Sequence, residues 1–263
     1  MDSPDSIPAP FTMYKRTVVK IGTGALSTPS GELDIHVLGE IVSQIVLLRE
    51  KGMEVVLVTS GAVGAGKSML SKREGTTAVI EKQLYAAVGQ VKLMNIYSEL
   101  FEKHGYMCAQ VLATKEDFRD EVHYQNMKNC LNALLPDGIV PIVNENDVVA
   151  TTELMFTDND ELAGLIAEQL EADVLIVLTT TNGVLDADGN TVSEVSTENA
   201  AQVLGYINEE ASATGRGGMR TKFNVAKGLS EKGIRVYIAD GKAKNVLADI
   251  SEGRACGTCF LPR

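Results

Sequence analysis

Residues 139–170 read IVPIVNENDVVATTELMFTDNDELAGLIAEQL, and this stretch contains three patterns in succession. The apolar run 139–143 is rich in β-branched residues and predicts a buried strand. The last part, 160–170, repeats leucine and isoleucine at helical spacing and predicts a helix. A strand and a helix joined by a polar segment form the unit from which α/β proteins are built, with ligands bound beyond the carboxyl ends of the strands.

The segment between this strand and this helix is unusually polar, with five carboxylates and three asparagines within seventeen residues. They are Asn144, Glu145, Asn146, Asp147, Glu153, Asp158, Asn159 and Asp160. Such a cluster can be a solvated acidic loop, a metal cage or a site that orients a polar ligand, and charge runs are most often solvated. The position between a buried strand and an apolar helix favours the ligand site.

Apolar runs alternate with helical patterns along most of the chain. The predicted strands are 17–21, 55–58, 107–112, 139–143, 174–178 and 236–239, with a last short strand near residues 256–260. The predicted helices are 38–48, 80–103, 124–135, 160–170 and 218–232, and Gly89 either breaks the second helix or packs tightly within it. Because strands this apolar are covered on both faces, the fold class is α/β: a three-layer αβα sandwich with a mainly parallel central sheet.

Length and composition limit the class of protein. The 263 residues can bury one large core, so we expect a single domain over 13–263 behind a disordered, proline-rich tail over 1–12. The net charge of -11 argues against nucleic acid, which requires clustered Lys and Arg. No stretch reaches the roughly 18 apolar residues of a membrane span, and no secretory signal is present. We therefore expect a cytoplasmic protein without a membrane partner.

The cysteines and histidines do not predict a metal site. Cys256 and Cys259 form one C-x-x-C, no second close pair completes a zinc set, and the three histidines are scattered. Two ordinary thiols in a reducing compartment are the simpler interpretation.

One glycine-rich stretch matches a nucleotide-binding motif. Residues 61–68, GAVGAGKS, follow a predicted strand and fit the phosphate-binding P-loop pattern G-x-x-x-x-G-K-[ST]. The context disfavours a P-loop, because the helix that should begin at Lys67 is short and polar and ends at Gly75. We expect Lys67 to lie beyond the turn, in solvent. A P-loop nucleotidase stays an alternative.

A second glycine-rich stretch, 213–222, precedes a helix and ends in Lys222. Backbone N–H groups at such a turn suit phosphate, and Lys222 adds a positive charge. Lys20 ends a predicted strand beside Gly22 and Gly24, so its ammonium group should lie at the ligand-binding edge. A flexible turn and two solvated lysines are the alternative, but two cations beside glycine turns fit phosphoryl transfer, which requires positioned positive charge.

Six segments carry a family resemblance and follow one order along nearly the whole chain beyond the tail. They are VVKIGT (18–23), VTSGA (58–62), AVGQ (87–90), VPIVNEND (140–147), FTDND (156–160) and GGMRTK (217–222). Together they resemble the amino acid kinase family, and N-E-N-D combined with D-N-D resembles its glutamate 5-kinase members. The resemblance implies ATP-dependent phosphorylation of the γ-carboxylate of glutamate to glutamyl 5-phosphate, the first step of proline biosynthesis. It also implies an N-terminal glutamate-binding part and a C-terminal ATP-binding part.

The resemblance implies roles for particular residues. Lys20 and Lys222 would flank the transferring phosphoryl group, with Asp160 holding both in place, and Asp147 would face the α-ammonium group of glutamate. The substrate-binding set is Ser60, Gly61, Asn144, Asp147 and Asn159. The ATP-binding set is Lys20, Thr179, Thr180, Arg216, Gly217, Gly218, Met219, Arg220, Thr221 and Lys222. Mg²⁺ would arrive on the ATP phosphates, so no protein metal ligand is expected. We also expect a homo-oligomer, with proline a candidate feedback inhibitor.

Three features depart from the family pattern. Thr180 stands where the family usually has an aspartate, and Arg216 replaces a small residue, so both affect the expected nucleotide contacts. Because the sequence given ends at Arg263, we do not expect the PUA domain that many bacterial members carry. The alternatives left open are a sister kinase acting on another substrate, the P-loop nucleotidase, and a non-catalytic sensor of glutamate or proline.

Overall fold

The computed structural model describes residues 14–70, 75–150, 156, 158–207 and 218–263. Its strands are β1 (Arg16–Ile21), β2 (Glu54–Val58), β3 (Cys108–Ala113), β4 (Val140–Glu145), β5 (Val174–Thr179), β6 (Glu194–Val195), β7 (Arg235–Asp240) and β8 (Thr258–Phe260). Its α-helices are α1 (Thr23–Leu26), α2 (Ile35–Glu50), α3 (Ala62–Lys67), α4 (Ala78–Glu102), α5 (Glu121–Leu134), α6 (Asn159–Gln169), α7 (Ala200–Tyr206), α8 (Met219–Ser230) and α9 (Val246–Ser251). The predicted tail over 1–12 lies outside the described residues.

The strands form one sheet in the order β3-β4-β2-β1-β5-β7-β8-β6. All neighbours from β3 to β7 are parallel, whereas β8 runs antiparallel to β7. Lys20 of β1 is in register with Val58 of β2 and Val177 of β5. Because the parallel strands end at the same edge, the segments that follow β1, β2, β4 and β5 meet there.

Helices cover both faces of the sheet, so the predicted three-layer α/β sandwich is confirmed. Successive strand residues alternate between two hydrophobic clusters: Val18 and Val56 belong to one, Val19 and Leu57 to the other. Helices α2, α4 and α9 pack on the face of Val19, and α5, α6, α7 and α8 pack on the face of Val18. A strand buried on both faces is apolar at most positions, which explains the nearly continuous apolar runs in the sequence.

The predicted elements are present, with small shifts at their ends, and some short elements were missed. The predicted helix 218–232 is α8, and the predicted helix 124–135 is α5. The last short strand near the C-x-x-C is β8. The elements that were not predicted are β6, α1, α3, α7 and α9, because elements of two to seven residues have too few positions to establish a period. No described helix is both long and apolar enough to cross a membrane.

The P-loop interpretation of residues 61–68 is wrong, because these residues form a helix. The N–H group of Ala65 bonds to the carbonyl of Gly61, and that of Ser68 to Gly64, so these amides are not free to cradle a phosphate. The glycines have another reason. A Cβ on Gly66 would lie 1.9 Å from the Tyr85 carbonyl oxygen, and one on Gly89 would lie 1.8 Å from that of Ala62. Glycine is therefore required where α3 and α4 touch, and α4 continues through Gly89 unbroken.

Candidate active site

The site forms where the ends of the central strands meet the first turn of α6. Lys20 is the second-last residue of β1, and Asn144 is the second-last residue of β4. Ser60 and Gly61 follow β2 and lead into α3. Gly61 has φ 105°, a left-handed conformation that favours glycine, and an added Cβ would lie 2.9 Å from Leu33. The described part of the opening stretch, residues 139–150, 156 and 158–170, thus contributes to the edge at which the parallel strands end.

A buried carboxylate holds two buried lysines together. Asp160 is fully buried in the first turn of α6, and its Oδ1 forms an ion pair with Lys20 Nζ. The other oxygen, Oδ2, accepts a hydrogen bond of 2.8 Å from Lys222 Nζ on α8. Burial raises the pKa of Asp160, but the two ammonium groups outweigh it and lower the pKa to about 2. The carboxylate therefore stays ionised and fixes both cations at the start of α6.

Asp158 lies two residues before Asp160, and its electrostatic environment differs from that of Asp160. It caps α6 by accepting from the N–H groups of Asp160 (2.9 Å) and Glu161 (3.2 Å). Burial, together with the negative charge of Asp160, raises the pKa of Asp158 to about 6, and Lys20 and Lys222 oppose the rise. Asp158 lines the cavity described below, whereas Lys20, Asp160 and Lys222 are not among its lining residues.

An amide network joins β2, β4 and α6. Asn159 Nδ2 lies within hydrogen-bonding distance of the Thr59 carbonyl (2.6 Å), Ser60 Oγ (3.0 Å) and Asn144 Oδ1 (2.9 Å). Asn144 Nδ2 in turn donates to Gln90 Oε1 of α4 at 2.9 Å. Neutral donors and acceptors are thereby fixed beside the charged group without further charge.

A cavity of ≈ 1160 Å³ opens at this edge of the sheet. All five predicted substrate residues line it, together with one predicted nucleotide residue: Ser60, Gly61, Asn144, Asp147, Asn159 and Thr180. The structure therefore brings together residues from three of the six motifs (58–62, 140–147 and 156–160) and Thr180. Their roles toward particular ligands remain predictions.

Four features of the cavity wall were not predicted from the sequence: Lys82 of α4, Lys242 after β7, the turn 27–32, and the place of Lys67 in the wall. Lys67 is exposed, as expected, but it also lines the cavity and lies 6.0 Å from the centre of the Tyr85 ring. Lys82 forms an ion pair with Asp147 across the cavity wall. A lone lysine in a long helix belongs to no motif, so only the packing of α4 beside β4 reveals it.

The nucleotide set is only partly described. Arg216 and Gly217 lie outside the described residues. Gly218 precedes α8, whose first turn carries Met219, Arg220 and Thr221, and Thr179 ends β5. The ion pair between Lys222 and Asp160 joins the start of α8 to the start of α6, at the edge of the sheet where β1 ends.

The donor set does not form a metal cage. Within the described ranges, no group of three or more His, Cys, Asp and Glu side chains could hold a metal ion. The cavity wall carries charges of both signs, from three lysines (Lys67, Lys82 and Lys242) and four carboxylates (Glu32, Glu145, Asp147 and Asp158).

Known protein sequences are similar to this chain over most of its length. The model of the amino acid kinase family matches residues 15–240. The chain is 48% identical over 251 residues to a glutamate 5-kinase of Chlorobaculum tepidum, covering 95% of this chain and 70% of the relative. It is 42% identical over 256 residues to a glutamate 5-kinase of Bacteroides thetaiotaomicron, covering 95% of this chain and 71% of the relative.

Solved structures support the fold. The carbamate kinase from Giardia lamblia bound to AMP-PNP superposes with a TM-score of 0.71 at 18% identity, covering 95% of this chain and 99% of that one. A likeness at this identity establishes architecture and leaves the substrate open. With the family model matching most of the sequence, and relatives above 40% identity, the chain belongs to the amino acid kinase family.

Proposed function

We propose that this chain transfers the γ-phosphoryl group of ATP to the γ-carboxylate of L-glutamate and so makes L-glutamyl 5-phosphate, as a glutamate 5-kinase. One observation carries the proposal: two buried lysines are held by Asp160 beside a cavity that also contains a carboxylate, Asp147. The names of the similar relatives support the substrate.

The reaction needs positioned cations more than a general base. A glutamate side chain has a pKa of about 4.3, so its γ-carboxylate is already an anion at neutral pH and can attack directly. One carboxylate oxygen forms a bond to the γ-phosphorus, the bond to the β,γ-bridging oxygen breaks, and ADP leaves with the electron pair. No proton is transferred. Lys20 and Lys222 then stabilise the negative charge on the phosphoryl oxygens.

Further parts of the proposal concern ligands and assembly. Mg²⁺ bound to the ATP phosphates would neutralise part of their charge. Ser60, Asn144 and Asn159 would bind glutamate through hydrogen bonds, and Thr180 with the start of α8 would contact the nucleotide. A cytoplasmic location, a homo-oligomer and inhibition by proline remain predictions.

Trapping the product tests the proposal. The protein would be incubated with ATP, Mg²⁺ and hydroxylamine, which converts an acyl phosphate to a stable hydroxamate. We expect hydroxamate and ADP in equal amounts with L-glutamate, and much less of both with L-aspartate, which is one methylene shorter. ADP release without hydroxamate would contradict the proposal, and a preference for aspartate would favour a sister kinase.

A further inference from the structure

An ion pair on the cavity wall affects how an amino acid can bind. Lys82 lies near the start of α4, and Asp147 lies two residues beyond the end of β4. Lys82 Nζ donates to Asp147 Oδ1, and both residues line the cavity. Their side chains are 20% and 11% exposed, against 24% and 41% in the surface pair of Lys51 and Glu252. The pair is therefore more shielded from water than this ordinary surface pair.

The loop that carries Asp147 is also fixed against α4 by a neighbour. Gln83, which follows Lys82, donates from Nε2 to the carbonyl of Val148, which follows Asp147, at 2.9 Å. Thr77 caps the start of α4, and its hydroxyl accepts from the Ile80 N–H group at 3.4 Å. These two hydrogen bonds fix the start of α4 and join it to the loop of Asp147, so Lys82 lies beside Asp147.

The pair has a consequence for charge. A ligand ammonium group that approaches Asp147 competes with the ammonium group of Lys82. If the ligand brought only a cation, Lys82 would lose its anionic partner in a partly buried place, which is costly. A zwitterion avoids this cost, because its carboxylate can pair with Lys82 while its ammonium group pairs with Asp147. Two opposite charges on the wall therefore match the two opposite charges of an amino acid.

We propose that Lys82 binds the α-carboxylate of the amino acid substrate while Asp147 binds its α-ammonium group. The proposal rests on the proposed function. It makes Lys82 a specificity-determining residue, which rejects amines without a carboxylate, and assigns it no part in phosphoryl transfer.

Two substrate analogues separate direct binding from an indirect effect. Glutarate keeps both carboxylates of glutamate but lacks the ammonium group, and 4-aminobutyrate keeps the ammonium group but lacks the α-carboxylate. The substitution is Lys82→Met, which keeps a long side chain without charge. The matched control is Lys92→Met, on the same helix and bonded to Ser68 Oγ at 3.2 Å. Each variant is assayed by hydroxamate formation with glutamate, glutarate and 4-aminobutyrate. The two analogues are also titrated as competitors of glutamate, so that a weak substrate still gives a Ki.

We expect Lys82→Met to lower kcat/KM by roughly 10- to 100-fold for glutamate, the loss expected for one charge-assisted contact. Glutarate should lose binding by a similar factor, whereas 4-aminobutyrate should bind no worse than to the unmodified protein. The loss for glutamate should appear in its KM, with kcat and the KM for ATP little changed. Lys92→Met should behave as the unmodified protein, and Lys82→Arg should recover part of the loss.

Three outcomes would overturn the proposal. A loss with glutamate and 4-aminobutyrate but not with glutarate would mean that Lys82 only positions Asp147. Equal losses with all three compounds, accompanied by a changed circular dichroism spectrum, would make the pair a structural clamp. Unchanged kinetics would remove Lys82 from the site. Failure of the proposed function is separate, because then the unmodified protein would make no hydroxamate from glutamate.

Discussion

Replacing Asp160 with asparagine tests whether one buried anion organises the catalytic cations. Asp160 is fully buried, and its partners Lys20 and Lys222 are 3% and 8% exposed. Asparagine keeps the shape of the side chain but removes the charge. Its single amide oxygen can accept from one ammonium group, while the amide N–H₂ group faces the other. Both lysines lose the charged oxygen that each contacts on Asp160, and the amide oxygen of asparagine can replace only one of these two contacts.

The size of the effect follows from this geometry. Removing one partner of a buried ion pair typically costs about 3–5 kcal/mol, because the remaining charge stays uncompensated. We expect Asp160→Asn to lower the free energy of unfolding by about that amount, out of the roughly 5–15 kcal/mol of an ordinary domain. Because the lysines lose the group that positions them, kcat should fall by roughly 10²–10³.

Urea unfolding followed by circular dichroism measures the stability, and hydroxamate formation measures kcat. The decisive comparison is the double variant Asp160→Asn with Lys222→Met, which removes the anion and one cation together. Its loss of stability should be smaller than the sum of the two single losses by about 1–3 kcal/mol. A loss below about 1 kcal/mol for Asp160→Asn, with additive effects in the double variant, would refute the idea that the carboxylate balances two buried cations.

Three further predictions use other parts of the molecule. Lys222→Met should cost roughly 10²–10³ in kcat whereas Lys67→Ala leaves kcat nearly unchanged, and the reverse order would restore the P-loop interpretation. Gly89→Ala should lower the free energy of unfolding by about 3 kcal/mol or more in urea, because its Cβ would overlap the backbone of α3. Gly205→Ala in α7, where nothing lies within 4 Å, is the control and should be neutral or stabilising. Burial raises the pKa of Asp158 from 3.8 to about 6, so its contribution to stability is present below about pH 4 and lost as the pH rises through 6. Asp158→Asn lacks this loss, so its free energy of unfolding should rise relative to that of the unmodified protein between pH 4 and pH 7. The rise should be at most about 3 kcal/mol, because cavity water screens part of the effect. A difference in free energy of unfolding that stays constant with pH would contradict the raised pKa.

The fold was largely predictable because its strands are buried on both faces. Val18 and Val19 pack into opposite clusters, so neighbouring positions in β1 are both apolar and the run is visible without any alternation. Short elements such as β6 give no such signal. Two residues, Glu194 and Val195, become a strand only because β8 lies beside them.

The candidate site was predictable where its residues belong to motifs, and not elsewhere. Asn144, Asn159 and Asp160 follow a buried strand or open a helix, so their position at one edge follows from the topology. Lys82 has no such neighbour in sequence and reaches the cavity only because α4 packs beside the end of β4. Conversely, the P-loop match was misleading. Gly66 allows α3 to pack closely against α4, and the sequence motif alone cannot distinguish a glycine needed for helix packing from one needed for phosphate binding.

The two aspartates that open α6 differ in their electrostatic environment, and the difference predicts how the proposed phosphate site would respond to an anion. Asp160 has both lysines as partners and stays ionised, whereas Asp158 meets them only at longer range and is desolvated by the fold. A phosphate group that approaches Lys20 and Lys222 draws on the same positive charge that partly offsets the charge of Asp158. Binding of the anion must therefore raise the pKa of Asp158 further and favour its protonation. One carboxylate thus holds the cations, and we expect the other to take up a proton when a phosphate group binds, which would offset part of the added negative charge.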